Sequence, residues 1–296
     1  MTDALEWRGR VGDVWADEWR FTDMGFAGLA RVLDAAIAAG APVQGRALDI
    51  GCGAGATTLA LAAARPGLNI LGVDLSERLV AVARSRGAER ANVTFRVADA
   101  SRLHSEPDAG DRFDLAFSRH GVMFFADPAT AFRRIGEVLH PGAALVFSCF
   151  AELGRNSWVT EIAKVIGSGA PSPSLRPDAA SAGEIRMAAY QPGPFAFADQ
   201  ALVRAILEQA GFVPGEPQRV DFDYRAGEGD DAAAQALHFF QRIGPAARIL
   251  ATMEPAERAE KKEQLAAFLA GQVRDGVVAF SASAWIWTAR TKAQVQ

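Results

Sequence analysis

The strongest constraint on the fold is a glycine-rich segment, residues 49–56, which reads Asp-Ile-Gly-Cys-Gly-Ala-Gly-Ala. It joins a short apolar run at 47–50, which predicts a buried strand, to the helix formers of residues 56–64. Glycine tolerates positive φ and lets backbone N–H groups come close to a ligand. The segment therefore predicts a strand–turn–helix unit whose turn binds a ligand.

Strand-like and helix-like segments continue to alternate up to about residue 150. Further strands are predicted at 69–73, 93–97, 114–117 and 144–149, and further helices at 76–85 and 128–139. Alternation at this spacing predicts right-handed β-α crossovers and a parallel, doubly wound sheet. The expected fold class is α/β with a Rossmann-like sheet.

The rest of the chain divides into three further segments. Residues 1–40 are expected to be an N-terminal helical segment, and residues 41–150 the ligand-binding core. The irregular stretch 151–198 is too long for an ordinary loop and is expected to act as a lid. Residues 199–296 are expected to complete the sheet, with a helix at 199–210 and strands near 220–224 and at 277–288. Between these strands, residues of about 230–271 are expected to form a helical cap of two helices, 230–250 and 255–271.

Composition narrows the classes of partner. Lys and Arg are scattered and the net charge is -4, so the chain lacks the basic footprint of a nucleic-acid binder, and a small-molecule substrate is expected.

The two cysteines, Cys52 and Cys149, form neither a disulfide framework nor a metal-ligand cluster, which favours a reducing compartment. The start of the chain has no signal peptide, and no run of about 18 apolar residues predicts a membrane span. We expect a cytoplasmic protein without a metal; the sequence indicates no oligomeric state.

Three aspartates end three successive predicted strands. Asp49 lies two residues before Gly51; a carboxylate there would repel a pyrophosphate but suits a ligand with a cationic amine and a sulfonium. Asp74 is placed to accept hydrogen bonds from ribose hydroxyls, and Asp99 to contact the exocyclic amine of adenine. Aspartates after strands also cap helices, so turn chemistry is the alternative interpretation. The glycines alone fit a dinucleotide fingerprint equally well, and the aspartates therefore decide between the ligand classes.

These residues resemble a known family. The run 47–55, with Asp74 and Asp99, resembles motifs I to III of the class I S-adenosylmethionine-dependent methyltransferases. Residues 113–128 and 138–142 are similar to the methyltransferase type 11, or UbiE-like, group, although many relatives have Arg-Pro-Gly-Gly where this chain has His140-Pro-Gly-Ala. The resemblance implies a seven-stranded sheet of order 3-2-1-4-5-7-6 with its last strand antiparallel.

The resemblance also implies S-adenosyl-L-methionine as cofactor and S-adenosyl-L-homocysteine as product. The cofactor-binding residues that it implies are Asp49, Gly51, Gly53 and Gly55 at the methionine end, Asp74 with Leu75 at the ribose, Asp99 with Ala100 at the adenine, and Ser118 with Arg119 beside the reacting methyl. The N-terminal segment is expected to close over this cofactor. Trp19, or Trp15, is the expected contact, with helix packing as the alternative.

His120 follows the fourth strand, where acceptor and methyl donor should meet. It is the candidate catalytic base, and a hydrogen-bonded wall residue is the alternative. His140 is expected to be structural and His104 solvated, and Cys52 is not expected to be a catalytic thiol because no histidine adjoins it. The expected substrate contacts are His120, Met123, Tyr190, Phe195, Phe197 and His238, with hydrophobic packing as the alternative for the aromatic residues.

The function expected from these features is in-line methyl transfer from S-adenosylmethionine to a small organic acceptor. One alternative is a nicotinamide-dependent oxidoreductase that uses the same turn; it predicts no acidic residue at position 49 or 99, and both are acidic. The other alternative is a family member that binds the cofactor without methylating. It stays open, because the nucleophile of a methyl transfer comes from the substrate.

Overall fold

The computed structural model describes residues 4–103, 112–167 and 190–293. Four helices precede the sheet: α1 (Ala4–Arg8), α2 (Arg10–Asp17), α3 (Trp19–Gly25) and α4 (Ala27–Gly40). The buried residues of α4 are Leu29, Leu33 and Ile37, which recur every four residues and form one apolar stripe. That stripe packs α4 onto the sheet, and α1 to α3 extend from it toward the carboxyl ends of the strands.

The β-α core follows the predicted alternation. Its elements are β1 (Gly45–Ile50), α5 (Ala56–Ala64), β2 (Leu68–Asp74), α6 (Glu77–Arg86), β3 (Val93–Val97), β4 (Phe113–Arg119), α7 (Pro128–Glu137) and β5 (Leu139–Phe150). Local capping explains where the helices begin: the Ser76 hydroxyl accepts a hydrogen bond from Leu79 N, and the Asp127 carboxylate accepts one from Thr130 N. Ser76 and Asp127 are thus the caps of α6 and α7.

The second half adds helices around an antiparallel finish to the sheet. Its elements are α8 (Ser157–Val165), α9 (Gln200–Gln209), β6 (Phe212–Pro214), β7 (Gln218–Glu228), α10 (Ala232–Arg242), α11 (Gly244–Thr252), α12 (Pro255–Gly271) and β8 (Val277–Thr291). The helix predicted at 230–250 is wrong as a single element, because Gly244, with φ +87°, and Pro245 interrupt it between α10 and α11. The short strand β6 was not predicted.

The sheet order is β3-β2-β1-β4-β5-β8, and both β6 and β7 pair with the outer edge of β8. Strands β1 to β5 are parallel, and β8 is antiparallel to β5. The expected order and the antiparallel strand are confirmed. The sheet has eight strands instead of seven because the edge strand is in two pieces: residues 215–217 separate β6 from β7, and Pro217 among them has no N–H to donate.

The two faces of the sheet are covered by different elements. Val146 points to the face that α4 covers, where it lies next to Gly40, whereas Phe147 points to the face covered by α7, where it meets Phe132. Side chains alternate along a strand, so Ser148 and Phe150 share the α4 face with Val146. None of the helices within the three described ranges combines the length and apolar character needed to cross a membrane.

Candidate functional site

The glycine-rich turn between β1 and α5 is built on left-handed backbone. Gly51, Gly53 and Gly55 have φ values of +63°, +52° and +84°. A Cβ atom on Gly55 would lie 2.9 Å from the ring of Phe95, so this glycine is also required by packing. A Cβ on Gly53 would meet nothing within 4 Å, which leaves the turn open on that side. The turn therefore lies at the carboxyl edge of the sheet with one open side, whereas the N–H groups of Cys52, Gly53 and Gly55 are bonded within the protein.

Asp49 lies at the end of β1 and is completely buried. Its Oδ2 accepts hydrogen bonds from Thr57 Oγ1 (2.9 Å) and Thr58 Oγ1 (2.6 Å), while its buried Oδ1 has no partner. Burial raises the pKa of Asp49 to about 7, although the two hydroxyls oppose the rise. A cation placed beside Oδ1 would supply the missing partner and favour the ionised carboxylate.

Asp74 and Asp99, at the ends of β2 and β3, also bond the backbone. Asp74 Oδ2 accepts from Gly53 N (2.9 Å) and its Oδ1 accepts from Ser76 N (2.9 Å), which ties β2 to the glycine-rich turn. Burial raises the pKa of Asp74. Asp99 Oδ1 accepts from Ser101 N (3.0 Å), and its Oδ2 lies 3.8 Å from the Arg8 guanidinium. Asp99 Oδ1 also accepts from Ser101 Oγ (2.6 Å). Turn chemistry is therefore present at both aspartates.

Next to the turn, two arginines converge on one carboxylate. Arg119, the last residue of β4, donates from Nη2 to Asp23 Oδ1 (2.8 Å), and Arg86 Nη2 donates to Asp23 Oδ2 (2.8 Å). Arg86 Nη1 also donates to the carbonyl of Ala54 within the turn (2.7 Å), and its guanidinium lies 4.0 Å from the ring centroid of Trp19. The two guanidinium groups thus form a carboxylate-binding pair, which Asp23 occupies from α3.

Ser118 holds the end of β4 against the end of β1. Its buried Oγ donates to the carbonyl of Ile50 (2.7 Å) and accepts from Gly121 N (3.2 Å). These bonds fix the backbone that carries Arg119 and His120. Leu75 and Ala100, the other expected cofactor contacts, follow Asp74 and Asp99; Leu75 is half-buried and Ala100 is buried.

His120 is buried beside the end of β4 and has φ +59°, a conformation that few non-glycine residues adopt. Its Nδ1 is hydrogen-bonded to Ser148 Oγ (2.9 Å), and its backbone N donates to the carbonyl of Ser148 (3.1 Å). Its Nε2 is buried and has no partner. Burial, assisted by the charge of Arg119, lowers the pKa of His120 to about 3, so the imidazole is neutral.

Aromatic rings surround this imidazole; we call the group formed by Phe26, Phe150, Trp158, Phe195 and Tyr224 the aromatic enclosure. The His120 ring lies 4.3 Å from Phe150 and 4.7 Å from Phe26 between centroids. Tyr224 packs edge-on against Phe26, Trp158 stacks on Tyr224, and Phe195 packs against Phe150. Such surroundings exclude water from the imidazole.

Met123, Tyr190 and Phe197, which are also expected substrate contacts, lie in two different places. Met123 is buried in the segment between β4 and α7. The Tyr190 hydroxyl donates to the carbonyl of Phe125 in the same segment (2.8 Å) and so anchors residue 190 there. Phe197 packs against Phe132 and Phe147, on the face of the sheet opposite His120, and its position is that of a core residue because the sheet separates it from the aromatic enclosure.

His238 and His140 have their printed partners outside the aromatic enclosure. His238 Nε2 lies 2.8 Å from the buried Glu18 Oε1, between α10 and the N-terminal helices, and this bond gives it a docking role. The carbonyl of His140 accepts a hydrogen bond from Thr291 Oγ1 (2.8 Å), in keeping with a structural position. His104 lies outside the described residues.

Several polar residues of the site were not identified from the sequence. Thr57 and Thr58 open the helix after the turn, and Ser148 is a polar residue in an otherwise apolar strand. A search for polar residues inside buried runs would have found all three. Asp23 and Arg86 carry no comparable local signal, because only the packing of α3 brings them to the glycine-rich turn.

Comparison with known proteins agrees with this geometry. Residues 48–147 match the family model described as a methyltransferase domain. The chain is 37% identical over 109 residues to a ubiquinone biosynthesis O-methyltransferase of Azorhizobium caulinodans, covering 36% of this chain and 41% of that protein. It is also 37% identical over 131 residues to the protein of that name from Cereibacter sphaeroides, covering 43% and 49%. The chain thus spans less than half the length of each relative.

Solved structures extend the likeness of fold over most of the chain. A protein from Bacillus halodurans C-125 that was assigned as a methyltransferase is 18% identical, with a TM-score of 0.50 covering 90% of this chain and 100% of its own. The structure described for the conversion of a disulfide bond into a thioacetal group during echinomycin biosynthesis is also 18% identical, with a TM-score of 0.50 covering 89% and 82%. At this identity the likeness concerns the fold. Residues 48–147 are thus a methyltransferase domain, and the sheet has the order expected from the resemblance to the class I S-adenosylmethionine-dependent methyltransferases.

Proposed function

We propose that this chain binds S-adenosylmethionine at the carboxyl edge of the sheet and transfers its methyl group to a small organic acceptor. The observation that carries the proposal is the alignment of Asp49, Asp74 and Asp99 at the carboxyl ends of three neighbouring strands beside the glycine-rich turn, with a buried oxygen of Asp49 left without a partner. That oxygen calls for a cationic group. The site therefore fits a cofactor that is cationic at one end and carries ribose and adenine at the other.

The assignments of the cofactor site follow from charge and hydrogen bonding. Asp49 Oδ1 would face the ammonium of the methionyl part. The carboxylate of the methionyl part would share Arg119 and Arg86 with Asp23, which bonds both guanidinium groups. Asp74 would accept from the ribose hydroxyls, and Asp99 from the adenine amine. When bound, S-adenosylmethionine supplies a methyl group activated by a sulfonium.

On the acceptor side, His120 is the proposed base. Its imidazole is neutral, and Nε2 is the polar atom that the aromatic enclosure leaves without a partner. A base with so low a pKa does not ionise the acceptor beforehand. His120 instead takes the proton during methyl transfer, because the acceptor oxygen becomes more acidic as it gains the methyl group. An acceptor with a neutral hydroxyl on a flat, apolar ring fits these properties, and the O-methyltransferase names of the relatives support a hydroxyl.

The cofactor assignment is tested by calorimetry with S-adenosylmethionine, S-adenosylhomocysteine and NAD. We expect the two methionine nucleosides to bind and NAD not to. Asp74→Ala should weaken binding by about 1–3 kcal/mol, because hydrogen bonds to the ribose are lost. Asp221→Ala, on the outer side of β7, is the control and should leave affinity unchanged. Binding of NAD without either nucleoside would contradict the assignment.

The catalytic assignment is tested with His120→Phe, which keeps the ring packing and removes both nitrogens. With labelled S-adenosylmethionine and a panel of substituted phenols, we expect kcat to fall by about 10²-fold or more, the usual range for a lost proton acceptor. The affinity for S-adenosylmethionine should stay unchanged. Full turnover by this variant would remove His120 from the mechanism, and cofactor binding without turnover on any acceptor would favour a non-methylating protein.

A further inference from the structure

We propose that Ser148 is a positioning residue for His120: its hydroxyl holds the imidazole so that Nε2, and not Nδ1, is presented to the acceptor. The role rests on the methyl transfer proposed above and adds to it a residue outside the family's motifs. Ser148 is completely buried in β5, which is paired on both sides, with β4 through Arg119 and with β8 through Ile286. A side chain in such a central strand has a fixed position.

Ser148 bonds both the backbone and the side chain of His120. Its carbonyl accepts from His120 N (3.1 Å), and its Oγ lies 2.9 Å from His120 Nδ1. The first bond sets where the imidazole is attached, and the second sets how the ring is turned. Phe26 and Phe150 pack against the ring, and neither offers a hydrogen-bonding atom that could compete with the Ser148 hydroxyl.

The alternative orientation of the ring is unfavourable for a simple geometric reason. A half-turn of the imidazole exchanges Nδ1 with a carbon atom and would bring that carbon against Ser148 Oγ. The hydrogen bond would be lost, and Nδ1 would be buried among aromatic carbons without a partner. The Ser148 hydroxyl therefore selects one of the two orientations and leaves Nε2 as the buried nitrogen without a partner, the one that we assign to the acceptor.

A hydroxyl also suits the proton chemistry at this position. For Nε2 to take a proton, the ring proton must be on Nδ1, and Ser148 Oγ can accept it there. With the proton on Nδ1, the Ser148 hydroxyl can turn its own proton away from the ring and accept the bond. With the proton on Nε2 instead, that proton would be fixed in the ring plane and buried without a partner. The same bond serves the imidazolium after Nε2 has taken the acceptor's proton. Because a hydroxyl carries no charge, it leaves the resting imidazole neutral.

The assignment is tested by NMR of the imidazole nitrogens in the full chain. The sequence has four histidines, and loss of one signal set in His120→Phe identifies that of His120. We expect Nδ1 to be protonated in the wild type, and Ser148→Ala to shift the signals toward Nε2 protonation. Ser283→Ala is the matched control: this serine is buried in the neighbouring strand β8, but its Oγ donates to Asp221 Oδ1 (2.6 Å). It should leave the His120 signals unchanged. Identical His120 signals in the wild type and Ser148→Ala would overturn the proposal.

Kinetics supply a second readout on the same variants. Ser148→Ala should lower kcat about tenfold while KM for the acceptor and the affinity for S-adenosylmethionine stay unchanged, because the fold and the binding groups are intact. An unchanged kcat would overturn the positioning role. The failure of the proposed function looks different: the wild type would then methylate no acceptor of the panel, even though Ser148→Ala still shifts the imidazole signals.

Discussion

Asp49 and His120 each bond the protein through one side-chain atom and leave another buried atom without a partner. The bonded atoms are Asp49 Oδ2, held by Thr57 and Thr58, and His120 Nδ1, held by Ser148. Leaving a buried polar atom unpaired costs free energy, so such atoms are uncommon in folded proteins; here nitrogens of Arg258 and of three tryptophans are unpaired as well. At the scale of the residue, the site thus consists of polar groups that are fixed at one end and available at the other.

The bond from Thr58 to Asp49 gives the first prediction. Thr58→Val removes a buried hydroxyl while keeping the shape of the side chain, and we expect unfolding to become easier by about 1–3 kcal/mol. The pKa of Asp49 should rise further, so binding of S-adenosylmethionine should weaken at neutral pH. Denaturant unfolding and calorimetry measure the two effects.

The matched control for Thr58→Val is Thr22→Val. The Thr22 hydroxyl bonds only the carbonyl of Glu18 within its own helical segment (3.2 Å). We expect a smaller loss of stability and no change in cofactor affinity. Equal effects of the two variants on affinity would show that Thr58 does not act through Asp49.

At the scale of the element, ion pairs dock the N-terminal helices onto distant parts of the chain. Glu18, between α2 and α3, is buried and pairs with His238 and Arg242 of α10. Asp17 pairs with Arg78 of α6 and also with Arg242. These pairs join the start of the chain to both the core and the helical cap. They support the proposal that residues 1–40 close over the cofactor.

Glu18→Gln is expected to loosen this docking. The substitution leaves Arg242 and His238 without their buried carboxylate, and removing one partner of a buried pair is costly. Because Arg242 is more than a third exposed, solvent screens part of the effect, and we expect a loss of about 1–3 kcal/mol. Limited proteolysis should cut α1 to α3 faster in this variant. Asp17→Asn removes an exposed carboxylate and should change stability by less than about 1 kcal/mol; equal sensitivity of the two variants would contradict the role of Glu18.

The sequence predicts the elements whose signals are local. Glycines and prolines mark the ends of the β-α units, and aspartates at three strand ends predict the cofactor edge. The break between α10 and α11 was missed, although Gly244-Pro245 is a local signal for it. The bond between Glu18 and His238 joins residues 220 positions apart, and Asp23 reaches Arg119 across 96 positions. Periodicity gives no information on such partners, because tertiary packing chooses them.

At the scale of the whole molecule, Asp49 and His120 give the stability opposite dependences on pH. The pKa of His120 is lowered to about 3 from an unfolded value near 6.5, so its contribution is complete above about pH 6.5 and is lost as the pH falls toward 3. The pKa of Asp49 is raised to about 7 from 3.8, so its contribution is complete below about pH 4 and is lost as the pH rises through 7. Between about pH 4 and 6.5 the two contributions oppose each other.

His120→Phe should uncouple these two contributions. Relative to the wild type, the variant is expected to gain stability as the pH is lowered from 6.5 to 4, with a slope of up to about 1.4 kcal/mol per pH unit. Asp49→Asn should show the opposite sign over the same interval. Denaturant unfolding at several pH values measures both slopes. If the free energy of unfolding depends on pH in the same way in the wild type and the variants, the pKa values of His120 and Asp49 are not shifted as described.

The tryptophans of the N-terminal helices make the chain its own optical reporter. Trp7, Trp15 and Trp19 are three of its six tryptophans; Trp7 packs against Phe124 beyond β4, and Trp19 against Arg86 beside the glycine-rich turn. The other three are Trp158 in α8 and Trp285 and Trp287 in β8. We expect these three to keep their positions when the N-terminal helices move. Intrinsic fluorescence, with red-edge and quencher titrations, would therefore follow the entry and departure of the cofactor in real time without any attached dye.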